Sequence, residues 1–199
     1  MASLSRRSLL GAALALAACR DDAPWHGIAV RGALPDLAFS MTRAADGAPV
    51  GQSDYRGKLV ALFFGYTHCP DVCPLTLANL AAVLDRLGPQ AEAARLLFVT
   101  VDPNRDSAAV LAAYAAGFGP QVAALRGSDN QLAALARRYR VSYSVQPATA
   151  ERPYTVVHGP SVYVFDGRGR ARLMLPKFFD ASADIDGVAA DFRRLIAET

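Results

Sequence analysis

Cys69 and Cys73 stand four residues apart, directly after an apolar run, Leu59 to Phe64, and a glycine. The run reads as a buried strand, and a helical pattern follows the second cysteine. Both thiols therefore sit where a strand gives way to a helix N-terminus. Unpaired N–H groups and positive partial charge there favour an anion such as thiolate, the form that ligates metals and attacks disulfides. Thioredoxin-like redox pairs have two intervening residues; this pair has three. Residues i and i+4 on a helix have Cβ atoms roughly 5–6 Å apart, whereas a disulfide wants about 3.5–4.5 Å. A metal between the sulfurs bridges that gap with less distortion than a direct bond. Pro70, Asp71 and Pro74 do not suit a core helix, which argues against two small apolar residues at helical spacing.

The elements that position this pair follow from periodicity. Leu34 to Lys58 has short alternating segments around Asp46-Gly47, a hairpin signal, and Pro74 suits the first helical position. Leu77, Leu80, Ala81, Leu84 and Leu87 keep a helical period, and Leu96 to Val101 reads as a second buried strand. Asp106 is placed to cap the next helix, with Val110, Leu111, Tyr114 and Phe118 on one face. Val122 to Leu125 reads as a third strand. Ser128 and Gln131 form a capping-box pattern ahead of Leu132, Leu135, Ala136 and Tyr139. Val141 to Val157 reads as a loop or hairpin excursion. Ser161–Phe165 and Ala171–Leu175 form a strand pair about Asp166-Gly167, and a helix with Ile185, Val188, Ala189, Phe192, Leu195 and Ile196 closes the chain. The order implies an α/β fold, a mixed central sheet covered on both faces.

The stretch FFGYTHCPDVCPLTL resembles the Sco/SenC family of copper-binding, thioredoxin-fold proteins. Val99 to Asp106 resembles its VDP-x-RD segment, Tyr139-Arg140-Val141 its YRV, and Tyr154-Thr155-Val156-Val157-His158 the segment carrying its metal-binding histidine. The likeness runs from about Leu34 to the C-terminus. It implies a thioredoxin-like fold with an N-terminal hairpin extension, and copper held by Cys69, Cys73 and His158. Two sulfurs and one imidazole suit soft Cu(I), with Cu(II) also admitted. The resemblance further implies a copper chaperone rather than an enzyme, whose partner is cytochrome c oxidase subunit II, with its dinuclear copper centre, or a periplasmic copper carrier. The same thiols could instead serve a thiol–disulfide oxidoreductase that keeps such a partner's cysteines reduced.

Neighbouring residues bear on that set. His68 stays outside it, because the family motif does not use that position as a ligand. Asp71 suits turn or cap chemistry, or docking of a partner. Met41 and Met174 read as packing residues. The sequence departs from the family where many members carry an acid before the histidine, since Val157 stands there, and where Gly159-Pro160 replaces a serine or threonine. Thioredoxin-fold proteins commonly place a cis-proline before the strand facing the redox helix. Pro160 occupies that place, which raises the expectation of a cis bond above the usual few per cent of X–Pro bonds.

The 199 residues fit one domain, and 52% hydrophobic against 20% charged content argues against disorder. Residues 1–18 read as a signal peptide, with Arg6-Arg7 before the apolar run Leu9 to Ala18. The arginine pair fits twin-arginine or ordinary Sec export. Leu16-Ala17-Ala18-Cys19 resembles a lipobox that would make Cys19 the lipidated first residue of the mature chain; a cysteine standing there by chance is the alternative. Residues 19–33 then read as a tether that holds Trp25 and a solvated His26, and 34–199 as the copper-binding domain on the periplasmic side of a bacterial membrane. Removing Arg6 and Arg7 takes the formal charge from +3 to +1, which gives no support for nucleic-acid binding.

Overall fold

The computed structural model describes residues 23–199, so the signal peptide and Cys19 lie outside the described residues. Ten strands and four α-helices follow in order: β1 (Ile28–Ala29), β2 (Ser40–Arg43), β3 (Pro49–Gly51), β4 (Leu59–Gly65), α1 (Val72–Leu87), β5 (Ala94–Thr100), α2 (Ala108–Ala116), β6 (Val122–Arg126), α3 (Asp129–Arg138), β7 (Tyr143–Gln146), β8 (Thr155–His158), β9 (Val162–Phe165), β10 (Ala171–Leu175) and α4 (Ile185–Ala197). Eight strands form one sheet in the order β1-β10-β9-β4-β5-β6-β2-β3, while β7 and β8 pair only with each other.

Burial explains why β4 is central. Every residue from Leu59 to Gly65 is buried, as expected of a strand covered on both faces. It runs parallel to β5, and β5 runs parallel to β6; the outer pairings are antiparallel. Facing residues in adjacent strands share a side of the sheet. Phe63 is aligned with Phe98 and with Val162, and Tyr114 of α2 stacks on Phe98 at 5.5 Å. Leu62 is aligned with Tyr163, and Tyr139, just after α3, packs against Tyr163 and Phe165. The sheet is therefore covered by helices on both faces, with α1 and α4 packed together. Leu77, Leu80, Leu84 and Leu87 of α1 and Val188, Ala189, Phe192 and Leu195 of α4 are buried. The capping box at Ser128 and Gln131 is present, and so is the N-terminal hairpin of β2 and β3.

Four expectations need correction. Pro74 is the third residue of α1, not the first, and the first helical bond is Leu75 N to Asp71 O. A proline is tolerated there because first-turn N–H groups have no intrahelical partner. Ser107, not Asp106, caps α2 through Val110 N; Asp106 is wholly buried and turned toward the cysteine loop. The described part of the expected tether, residues 23–33, packs on the domain: β1 pairs with β10, Gly27 N donates to Asp191, His26 Nδ1 lies 2.7 Å from Asp184, and Arg194 lies 4.0 Å over the Trp25 ring. The Gly159-Pro160 bond is trans, there being no cis peptide among the described residues.

Candidate metal centre

The cysteine loop is anchored at both ends. Gly65 O accepts from Val101 N and Tyr66 O from Cys69 N, and Cys73 lies in the first turn of α1. Gly65 has a steric role: a Cβ there would lie 2.8 Å from Cys73 Sγ and 2.6 Å from Phe98 Cε2, so the end of β4 must be bare for the sulfur to approach it. Asp106 fastens the loop from below. Its carboxylate accepts from Thr67 N, from Thr67 Oγ1 at 2.6 Å and from Thr100 Oγ1 at 2.6 Å.

His158 ends β8 and reaches the thiols from the other side. Its Nε2 lies 3.3 Å from Cys73 Sγ, while Nδ1 lies 3.1 Å from Gly159 O. A carbonyl only accepts, so Nδ1 carries the proton and Nε2 turns its lone pair toward the sulfurs. The ring stands edge-on to Phe63 and Tyr66, each at 6.0 Å. Backbone pairing of Tyr143 with His158 and these rings aim the imidazole. The donor atoms of Cys69, Cys73 and His158 all lie within 4.8 Å of one another, and both cysteines are free thiols.

The two sulfurs are unequal. Cys69 is half-buried and Cys73 fully buried. A hydrogen bond from Cys73 lowers the Cys69 thiol to about 4, opposed by burial and helped by the N–H groups of Asp71 and Cys73. The hydrogen bond to Cys69 and burial push Cys73 strongly upward. The apo site thus holds one thiolate and one thiol, a soft anionic pocket with an imidazole lone pair beside it. Cationic metal would displace the remaining proton.

The chain matches the model of the SCO1/SenC family over residues 34–197. It belongs to the SCO1/SenC family. The mouse mitochondrial SCO2 homolog is 35% identical over 131 residues, 65% of this chain and 50% of that protein; the chain spans about half the length of the curated relatives it matches. Among solved structures, ScoI of Bradyrhizobium japonicum with copper bound is 32% identical, with TM-score 0.71 over 80% of this chain and 98% of that one. Apo Sco1 of Thermus thermophilus is 32% identical, with TM-score 0.74 over 88% and 99%. The thioredoxin-like fold is thereby shared with relatives of which one carries copper.

The remaining candidates separate by position. His68 is exposed, its Nδ1 3.1 Å from Thr67 Oγ1 and 3.7 Å from Asp106, outside the three-residue group. Asp71 occupies the N-cap of α1, exposed and without a side-chain capping bond. Met41 is buried in the core, and Met174 packs against it on β10. Sequence reasoning missed the roles of Gly65 and Asp106. A glycine closing a buried strand is a signal of close approach; an aspartate after Arg105 carries no sign of which way it turns.

Proposed function

We propose that Cys69, Cys73 and His158 bind one Cu(I) as cargo, and that the protein delivers it to the dinuclear copper centre of cytochrome c oxidase subunit II. The observation that carries this reading is the convergence of three soft donors on one point, with Nε2 of His158 facing the sulfurs. A redox pair alone would not need that nitrogen. The copper-bound relative of similar fold supports the same assignment. Asp71, exposed beside the sulfurs, is a docking contact for the receiving protein. The export-signal pattern of residues 1–18 and the lipobox-like Leu16-Ala17-Ala18-Cys19 support a domain on the periplasmic face of a bacterial membrane, anchored through lipidated Cys19. No described helix is long and apolar enough to cross a membrane. The test is copper content and Cu(I) affinity of the reduced domain, followed by oxidase activity in a deletion strain with and without added copper. Stoichiometric Cu(I), and an oxidase defect relieved by copper, are expected. A reduced protein that holds no Cu(I) sinks the reading.

A second reading rests on the unequal thiols. A half-exposed thiolate at Cys69 beside a buried thiol at Cys73 is the arrangement of an attacking and a resolving cysteine. Cys69 would attack a client disulfide and release one client thiolate. Cys73 would then lose its proton, attack Cys69 Sγ and release the second. Two client thiols form and the Cys69–Cys73 pair is left oxidised. The reductase reading predicts stoichiometric oxidation of the pair by a client disulfide, which copper occupancy blocks.

A further inference from the structure

Among the described residues the hairpin carrying His158 shares no backbone ladder with the main sheet, since β7 and β8 pair only with each other. Something other than strand pairing must hold it against the cysteine loop. Tyr154, the residue before β8, is gripped on both sides. Its hydroxyl donates to Asp102 Oδ1 at 2.9 Å, its carbonyl accepts from Arg105 Nη1 at 2.9 Å, and the Arg105 guanidinium lies 3.6 Å over its ring. Asp102 is buried and takes the Arg105 Nε–H as well. Arg105 also faces the ring of Tyr66, 5.6 Å away, which itself stands against the imidazole. The next residue, Asp106, holds Thr67 on the cysteine side. Adjacent residues of one loop thus grip the two halves of the site. The other guanidinium nitrogen, Nη2, is buried and has no hydrogen-bond partner among the described residues. Leaving a buried donor unpaired costs stability, so Arg105 is held there at a cost.

We propose that Arg105, with Asp102 and Tyr154, is a positioning clamp that sets His158 at its distance from Cys69 and Cys73. The inference rests on the copper reading above. Partners that orient a metal-ligating group commonly change metal affinity roughly 10–100-fold when removed. Arg105 touches no donor atom, so it must act through the hairpin.

The experiment is a double-mutant cycle for Cu(I) affinity on the reduced full domain, combining Arg105→Gln or Tyr154→Phe with His158→Ala, beside amide hydrogen exchange of each single variant. Arg105→Gln is expected to weaken Cu(I) roughly tenfold and to add less than about twofold once His158 is alanine. Tyr154→Phe, which removes one hydroxyl and should fold normally, is expected to act in the same direction and less. Exchange should accelerate in β7 and β8 and stay unchanged in β4 and β5. Equal weakening in both backgrounds overturns the clamp, as does exchange that rises uniformly across the main sheet. Wild-type affinity in both clamp variants overturns it too. If His158→Ala alone leaves Cu(I) affinity unchanged, the ligand reading has failed instead, and local exchange in β7 and β8 alone decides whether Arg105 clamps the hairpin.

Discussion

The two halves of the candidate metal centre are built in different ways. The cysteine half grows out of β4 and α1, at the centre of a sheet whose strands bury every residue from Leu59 to Gly65, and it is tied down by backbone bonds from Val101 and Cys69 and by buried Asp106. The histidine half rides on a two-stranded hairpin held from outside by side chains. Backbone ladders open only with the fold, whereas side-chain grips open locally and at lower free energy. The sulfurs thus sit on the framework of the main sheet, and the imidazole on the half gripped by side chains. If the chain carries copper as proposed above, the gripped half is the one expected to move.

The largest effect should come from the fixed half. Cys69→Ser or Cys73→Ser removes one of two soft anionic donors, and Cu(I) binding should be nearly lost, as titration with a competing Cu(I) chelator would show. Gly65→Ala tests the same half without touching a ligand. The added methyl collides with Cys73 Sγ and Phe98, and overpacking of a tight core costs roughly 1–3 kcal/mol. Thermal stability and Cu(I) affinity should fall together. An alanine variant with wild-type behaviour in both would show that the end of β4 is not as rigid as the comparison requires.

His158→Ala should weaken Cu(I) less than either cysteine change, and should leave thermal stability nearly untouched because the hairpin lies outside the main sheet. A large stability loss in this variant would erase the contrast between the two halves. The thiols sharpen it by pH. Cys69, lowered to about 4 by Cys73 and neighbouring N–H groups, should alkylate as a thiolate down to about that pH. Cys73, pushed upward by the same bond and by burial, should stay unreactive in the native protein at neutral pH. The sign follows from the depressed group: its stabilising contribution is present above the ordinary thiol range and is lost as pH falls toward about 4. Mass spectrometry of alkylated peptides across pH reads both. Oxidising the pair should remove Cu(I) uptake, since in a disulfide neither sulfur is an anionic thiolate donor.

The contrast also sorts what the sequence could show. The fixed half was legible because buried strands and amphipathic helices write their period into the chain: Leu59 to Phe64, the leucines of α1 and the capping box at Ser128 all fall where the pattern puts them. The hairpin was legible only as an excursion. Its residues are mostly exposed, so no apolar period marks its strands, and its position depends on side chains from a distant loop. Asp106 was misplaced for the same reason, since a short acid before a helix looks like a cap until tertiary contacts turn it inward. The segment before Leu34 reads as polar linker because β1 is two residues long and both are exposed. The trans bond at Pro160 shows that position relative to a strand does not fix an isomer when a ladder pair already aims the histidine.

The smallest effect is expected from restoring the acid that many relatives carry before the histidine. Val157 lies beside His158 in an extended strand, so the two side chains point to opposite faces; Val157 is 58% exposed while His158 turns inward to Cys73. Nδ1, the ring nitrogen that an acid would orient, already faces Gly159 O at 3.1 Å. Val157→Asp therefore has no ring nitrogen within reach and sits on the solvent side of a hairpin. Exposed substitutions of this kind usually move stability by no more than about 0.5 kcal/mol, and Cu(I) affinity should change by less than about twofold. A gain near tenfold, of the size that a ligand-orienting partner produces, would mean that the hairpin rotates on metal binding so that position 157 meets the imidazole. In that case the movable half moves further than its apo geometry shows.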